Sequence, residues 1–341
     1  MGVRMKEVAS RAGVSVKTVS NVVNGYLHVA PSTRERVQQA IDEMGYRPNL
    51  SARSLRSGRT GIIAVAVPRL DEPYFAELAA AVIAVADERG CTVLVDQTDG
   101  RLEREQLAVA GIRPDLIDGL ILSPLALGAD DLLAASGTST PLVLLGERIS
   151  DSIHDHVAID NVAAARLATD HLLSLGRTRV AAIGTMDSVV AQTARLRRTG
   201  YREAMAAAGL PVLAGHEQEV DGFTREAGAL AAERLLDLPE PPDAVFCFSD
   251  LLALGALHAL QRRGVRVPED VAVIGVDDIV ESRYSTPALS TVAQDVDEIA
   301  RVAVDALLRR LADGVDDPPR EILASYALRV RDSTVRSTAR G

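Results

Sequence analysis

Apolar residues recur at helical spacing in the first part of the chain. Over residues 6–12, Val8, Ala9 and Ala12 share one face, and Gly13-Val14-Ser15 interrupts the pattern. A second helix is predicted over 16–24. There Val19, Val22 and Val23 fall at i, i+3, i+4, leaving Lys17, Thr18, Ser20, Asn21 and Asn24 on polar faces. Ser15 stands where its hydroxyl can accept a free N–H of that helix's first turn, and Gly25 ends it. Pro31 suits the first turn of a third helix running to Met44, with Val37, Ile41 and Met44 apolar and Gly45 terminating it.

From Gly61 onward the pattern changes to strand-like runs at 62–67, 92–95, 119–122, 142–145 and 157–159. A second series follows at 179–183, 218–220, 244–248 and 271–276. Helical stretches lie between them, at 74–89, 162–175, 195–208, 224–236 and 250–263. Such alternation predicts parallel sheets with helices on both faces. The fold class expected is α/β: a helix-turn-helix headpiece followed by two doubly wound parallel-sheet subdomains dividing near Asp160. A helix at 295–311 and a strand at 321–328 come after the second series, so the chain is expected to recross between subdomains. The expected division is a headpiece at 1–48, a hinge helix at 49–59 and a core at 60–341. Within the core, the N-subdomain takes about 60–160 plus 293–318, and the C-subdomain about 161–292 plus 319–331.

The composition is that of a folded protein, with 47% hydrophobic and 25% charged residues. No uninterrupted apolar run approaches the roughly 18 residues of a membrane span, and the start, MGVRMKEVASRAGVS, has no apolar core of a secretory signal. A cytoplasmic location is therefore expected. Cys91 and Cys247, far apart in strand-like runs, read as buried thiols in a reduced compartment. The net charge of −10 taken alone argues against a nucleic-acid partner, but it is unevenly divided. Residues 1–59 carry ten basic and four acidic side chains, a net of +6, against −16 for the remainder, and both lysines of the chain, Lys6 and Lys17, lie in the basic segment. A basic unit on an acidic body is a signal of nucleic-acid binding.

Two short helices joined by a glycine-containing turn form a helix-turn-helix pattern, whose second helix enters the major groove. The segment MKEVASRAGVSVKTVSNVVNG, then TRERVQQAIDEMGYRPN, resembles the headpiece of the lactose/galactose repressor family of bacterial transcription regulators. The family pattern is met at Glu7, Val8, Ala9, Ala12, Gly13, Val14, Ser15, Thr18, Val19, Ser20, Val22, Val23, Asn24, Thr33, Arg34, Val37, Gly45, Tyr46, Pro48 and Asn49. The resemblance assigns base reading to Val16, Lys17 and Asn21. The chemistry agrees: Lys donates to guanine O6/N7, Asn pairs an adenine edge and Val meets a thymine methyl. Ser15, Thr18, Ser20 and Asn24 are expected to bind phosphate or cap helices. One departure is Ala30, where relatives usually carry a capping Ser; Ser32 with Glu35 offers a shifted capping box.

Between Pro48 and Gly58 lies NLSARSLRS, with Asn49 able to cap a helix and Gly58 able to end it. So short a helix is unstable alone in water and is suited to fold against a partner. In the resembled family this hinge helix pairs with its dimer mate in the minor groove, where a leucine wedges between base pairs. Leu55 occupies that position, Ala52 lies one turn earlier, and Arg53, Arg56 and Arg59 are expected to hold phosphates.

The resemblance continues over residues 60–331, which look like the family's core, itself similar to periplasmic sugar-binding proteins. Its markers include Ala158-Ile159-Asp160-Asn161, Ser249-Asp250, Gly275-Val276-Asp277-Asp278 and Arg331-Asp332-Ser333-Thr334. Two doubly wound units leave a cleft outside the carboxyl ends of their strands. The effector contacts implied there are Tyr74, Phe75, Thr193, Arg197, Phe223, Asp250 and Asp277. Aromatic platforms with forked polar groups suit a sugar or a nucleoside. Asp160 reads equally as an N-cap, and Ser249 replaces the commoner Asn.

Nothing reads as catalytic. There is no nucleophile elbow, phosphate-binding loop or dinucleotide fingerprint. The His154-Asp155-His156 run has no further ligands nearby in sequence, so no metal or other cofactor is expected. The function expected is that of an effector-responsive, sequence-specific DNA-binding regulator, most simply a repressor. Its partners are a pseudo-palindromic double-stranded operator and a second copy of the chain. Residues 330–341 carry no leucine heptad, so the assembly expected is a homodimer. The alternatives are a solute-binding protein of a transport system, against which the basic headpiece speaks, and a Rossmann-type enzyme, whose fingerprint is missing.

Overall fold

The computed structural model describes residues 3–23, 26, 28–46, 59–111, 116–134, 140–146, 153–186, 191–313 and 318–335. Asn24, Asn49, Ala52, Arg53, Leu55 and Arg56, expected at the DNA, lie outside the described residues, as does most of the expected hinge helix. Contacts divide the chain into two units, Met1–Thr60 and Gly61–Gly341.

The first unit holds α1 (Met5–Ala12), α2 (Val16–Val23) and α3 (Pro31–Met44). Its core is Val8, Ala9, Ala12, Val19, Val22, Val37, Ala40 and Tyr46, which is the set of inward positions of three amphipathic helices. Gly13 ends α1 in the left-handed conformation (φ 66°), which glycine enters without steric cost. Ala30 holds the N-cap position of α3 without a side-chain bond, so the shifted capping box is not formed. Pro31, the first helical residue, has no N–H to satisfy. A cap the pattern reading missed is at α1, where Glu7 Oε2 accepts from the Arg4 N–H at 2.7 Å.

The second unit alternates β1 (Ile62–Val67), α4 (Pro73–Glu88), β2 (Thr92–Gln97), α5 (Leu102–Ala110), β3 (Gly119–Leu122), α6 (Ala129–Ala134), β4 (Leu142–Leu145), β5 (Asp155–Ala158), α7 (Asn161–Ser174), β6 (Val180–Thr185), α8 (Gln192–Ala207), β7 (Glu217–Glu219), α9 (Arg225–Leu236), β8 (Ala244–Cys247), α10 (Asp250–Arg262), β9 (Ala272–Asp277), α11 (Val280–Tyr284), β10 (Ser290–Gln294), α12 (Val296–Asp313), β11 (Glu321–Leu323) and β12 (Tyr326–Arg329). Two six-stranded sheets result, in the orders β11-β5-β4-β3-β1-β2 and β12-β10-β9-β8-β6-β7. Among the described residues nine of the ten strand pairings are parallel, and only β10–β12 is antiparallel. Strands covered by helices on both faces read as continuous apolar runs, and β1, β3, β4, β6 and β8 are buried along almost their whole length.

The chain passes between the sheets three times. It crosses after β5, after β10 and between β11 and β12. These segments bond one another: the Ala324 N–H donates to the Ala158 carbonyl at 2.8 Å, and the Asp295 N–H to the Ser325 carbonyl at 3.1 Å. The expected subdomain limits are corrected accordingly. Residues 290–294 form a strand of the second sheet, so the first subdomain resumes at α12, after residue 293. The single strand expected at 321–328 is two strands, and 321–323 joins the first sheet, not the second. The alternation of Ile322, Ala324, Tyr326 and Leu328 runs unbroken across that crossing, so its period carries no sign of the break. Cys247 ends β8 fully buried, but Cys91 precedes β2 and is only half-buried, a correction to the expectation for it.

Two tight features hold the second unit. Asp155 of β5 is fully buried; it accepts from Arg310 Nε (3.0 Å) and Nη2 (2.8 Å), Arg309 Nη2 (3.0 Å) and the Arg320 N–H (2.8 Å), clamping α12 to the first sheet. Burial opposes its ionisation, but the bonds to Arg310 and Arg320 hold the carboxyl below the usual range. Between α9 and α10, Gly228 and Gly255 allow backbone to meet backbone. A Cβ at Gly255 would lie 1.9 Å from the Arg225 carbonyl oxygen, and one at Gly228 2.1 Å from that of Leu252.

Candidate functional site

In the first unit, α2 presents Val16, Lys17, Ser20 and Asn21 on one face, opposite the buried Val19 and Val22. Val16 is 43% exposed. Ser15 Oγ accepts from the Thr18 N–H at 3.0 Å and lies 2.9 Å from Thr18 Oγ1. Both hydroxyls are thus engaged in starting the helix. The loop before α3 is braced by Arg34, whose Nη2 donates to the Tyr26 carbonyl at 2.7 Å. The helix is held by its own cap and carries one apolar and three hydrogen-bonding side chains at its free face, the kinds of group that can meet base edges and phosphates.

In the second unit, a cavity of about 390 Å³ opens between the two sheets. Its lining comes from residues just past strand carboxyl ends: Ser123 after β3, Gly146 after β4, Met186 after β6, Phe223 after β7, Ser249 after β8, and Asp277 and Gln294 closing β9 and β10. Open parallel sheets place ligands there. Of the expected contacts, Tyr74, Phe75, Thr193, Arg197, Phe223 and Asp277 all line it. Tyr74 and Phe75, in the first turn of α4, meet edge to face with centroids 5.3 Å apart.

A chain of polar contacts runs along this wall. Tyr74 Oη donates to Gln294 Oε1 (3.2 Å), and Gln294 Nε2 donates to Asp277 Oδ1 (2.9 Å). Asp277 Oδ1 lies 3.8 Å from Arg197 Nη2, and Arg197 Nε donates to Asn161 Oδ1 (2.8 Å). Arg197 Nη1 donates to the Phe248 carbonyl, and the side chain is only 5% exposed. Its guanidinium plane is therefore fixed before any ligand arrives.

Asp250 is a correction. It does not line the cavity; it is fully buried beneath it, accepting from Ser282 Oγ and Thr291 Oγ1 (each 2.6 Å) and the Ile279 N–H (3.2 Å). Ser249 caps α10, its Oγ accepting from the Leu252 N–H at 3.3 Å, and Asp160 caps α7, accepting from the Ala163 N–H at 2.9 Å. Among the lining residues not expected as effector contacts are Glu72, Asn161 and Gln294. Gln294 ends a strand whose polar sequence, STVAQ, hid it. Desolvation pushes the Glu72 carboxyl up to about 7, with the Asp71 and Asp277 charges adding and Arg69, 3.5 Å away, opposing.

A larger recess, about 650 Å³, lies between α8 and β7. Its arginines are engaged: Arg198 and Arg202 both bind Glu217, at 2.7 and 2.5 Å. It offers fewer apolar walls than the cleft between the sheets and no aromatic residue.

Comparison with known proteins agrees with both halves of this description. Residues 4–49 match the model of bacterial regulatory proteins of the lacI family, and residues 169–334 that of a periplasmic binding protein-like domain. The transcriptional repressor CytR of Escherichia coli (strain K12) is 35% identical over 307 residues, 90% of this chain and 89% of that protein. Among solved structures, a complex of the regulator CelR with cellobiose superposes with a TM-score of 0.70 at 33% identity, covering 97% of this chain and 99% of that one. The lac repressor dimer bound to operator and an anti-inducer gives 0.84 at 29% identity, covering 98% and 100%. With a helix-turn-helix unit, a two-sheet cleft and relatives spanning nearly its full length, the chain belongs to the lacI family of bacterial regulatory proteins, a family of DNA-binding transcriptional regulators.

Proposed function

We propose that this regulator is a cytoplasmic repressor that binds a pseudo-palindromic operator as a homodimer and changes its operator affinity when a sugar or nucleoside enters the cleft between its two sheets. The observation that carries this reading is the fixed polar chain Tyr74–Gln294–Asp277–Arg197–Asn161, set beside Phe75 and Phe223 in a cavity of small-ligand size. Aromatic walls take the faces of a ring and forked polar groups take its hydroxyls. Of its relatives, CelR has been captured with cellobiose. No helix among the described residues is long and apolar enough to cross a membrane.

Val16, Lys17 and Asn21 of α2 are the proposed base readers, with Ser20 toward the phosphates. Dimerisation is supported by apolar surface without a partner in the single chain. The edge strand β2 leaves Leu94 and Val95 more than a third exposed, Ile83 of α4 is exposed, and Tyr284 is 81% exposed. An edge strand with exposed apolar side chains is a template for pairing with another chain.

The experiment is selection of binding sites from random duplexes by the full-length chain. Mobility shifts on the recovered site then follow at two salt concentrations, with and without cellobiose, ribose or adenosine. Recovery of a two-fold symmetric site, salt-dependent binding and a change of affinity with one compound are expected. Binding unaffected by salt, or sites without symmetry, would refute the reading.

A further inference from the structure

Asp277 reaches the cleft from an unusual backbone. Its φ is 125° and that of Asp278 is 61°, both in the left-handed half of conformational space that residues with side chains rarely occupy. Such a turn persists only where its surroundings over-determine it. The surroundings here converge on one buried carboxylate. Asp250, in the first turn of α10, accepts from the Ile279 N–H just beyond the turn, from Ser282 Oγ on α11 and from Thr291 Oγ1 on β10. Thr291 Oγ1 in turn accepts from the Asp278 N–H at 3.4 Å. On its other side the carboxylate presses on β9: a Cβ at Gly275 would lie 2.2 Å from Asp250 Oδ1. Asp278 is anchored from outside by Arg331, at 2.5 Å, and by Arg283, at 3.2 Å.

We infer that Asp250 is a positioning residue of the effector site: it touches no ligand, but by gathering Ile279, Ser282 and Thr291 it holds the left-handed turn that aims Asp277 into the cleft. The same turn reaches the other subdomain, because the Val280 N–H donates to Glu77 Oε1 of α4 at 3.1 Å. Asp250 therefore fixes both the cleft wall and a contact across it. The inference rests on the reading of the cleft as an effector site. A carboxylate suits the task because all three of its partners donate. An asparagine can also serve: its Oδ1 accepts from Ile279 and Ser282, while its amide donates to Thr291, whose hydroxyl can accept.

The test uses the full-length chain and isothermal titration with cellobiose, ribose and adenosine. Asp250→Ala leaves three buried donors without an acceptor and is expected to fold poorly, so Asp250→Asn and Ser282→Ala carry the test. For whichever probe binds the native chain, Asp277→Ala lowers affinity strongly and Ser282→Ala up to about tenfold, since it removes one buried hydrogen bond from the support. If the support acts through Asp277, Ser282→Ala adds less than about twofold in the Asp277→Ala background. Asp250→Asn retains affinity within about threefold. Full additivity of Ser282→Ala and Asp277→Ala, or a loss in Asp250→Asn equal to that in Asp277→Ala, overturns the inference while leaving the effector cleft intact. Failure of all three probes to bind the native chain overturns the sugar-or-nucleoside reading, and the inference falls with it.

Discussion

Arg197 Nη2 lies 3.8 Å from Asp277 Oδ1, and the two residues come from elements far apart in sequence, the helix α8 and the strand β9, brought together only by the fold. Neither is free to move. Arg197 is tied to Asn161 and the Phe248 carbonyl, and Asp277 to Gln294. A lysine at 197 offers one compact ammonium where three directions are in use. Arg197→Lys should fold but lose about tenfold or more in affinity for the cleft's ligand. Titration calorimetry reads this directly, and unchanged affinity would remove Arg197 from the site.

Glu72 gives the cleft a pH dependence of unusual sign. Its carboxyl ionises at about 7 in the folded chain against 4.5 as the ordinary value. Between those pH values the folded state holds a proton that the unfolded state has released, so stability falls as pH rises through this window. The ionised side chain, 28% exposed, then opposes folding above pH 7 by on the order of 1–3 kcal/mol. Glu72→Gln should therefore raise the melting temperature at pH 8 and change it little at pH 4.5. An equal shift at both values would contradict the burial of an ionising carboxyl there.

The Asp155 clamp should be costly to open. Arg310 is 7% exposed and relies on Asp155 and the Pro318 carbonyl. Removing one partner of a buried pair strands the other, at about 3–5 kcal/mol. Asp155→Asn is expected to lower the urea midpoint by a corresponding amount without changing the denaturant slope. A loss under about 1 kcal/mol would mean that water reaches Arg310.

On DNA, Lys17 and Asn21 should separate from the phosphate contacts by their effect on sequence preference. Lys17→Ala or Asn21→Ala is expected to cost about 1–3 kcal/mol on the selected site and to relax the preference at one base pair per half-site. Repeating the selection with each variant tests this. A uniform loss on all duplexes would reassign the side chain to the backbone.

The sequence alone determined what depends on local pattern. The three headpiece helices follow from apolar spacing at Val8, Ala12, Val19 and Val37 and from the stops at Gly13 and Gly45, which act over a few residues. The parallel strands were legible because burial on both faces forces unbroken apolar runs, as in Ile62–Val67. The tertiary structure alone decided which sheet each crossing strand joins, since residues 321–328 keep one period while pairing with β5 and then with β10. It also decided the fate of chemically similar residues. Asp250 and Asp277 both stand at strand exits as plausible ligand contacts, yet one is enclosed by Ile279, Ser282 and Thr291 and the other faces the cleft. Gln294 and Glu72 entered the site for the same reason. A side chain's solvent and partners are set by elements distant in sequence, and periodicity holds no record of them.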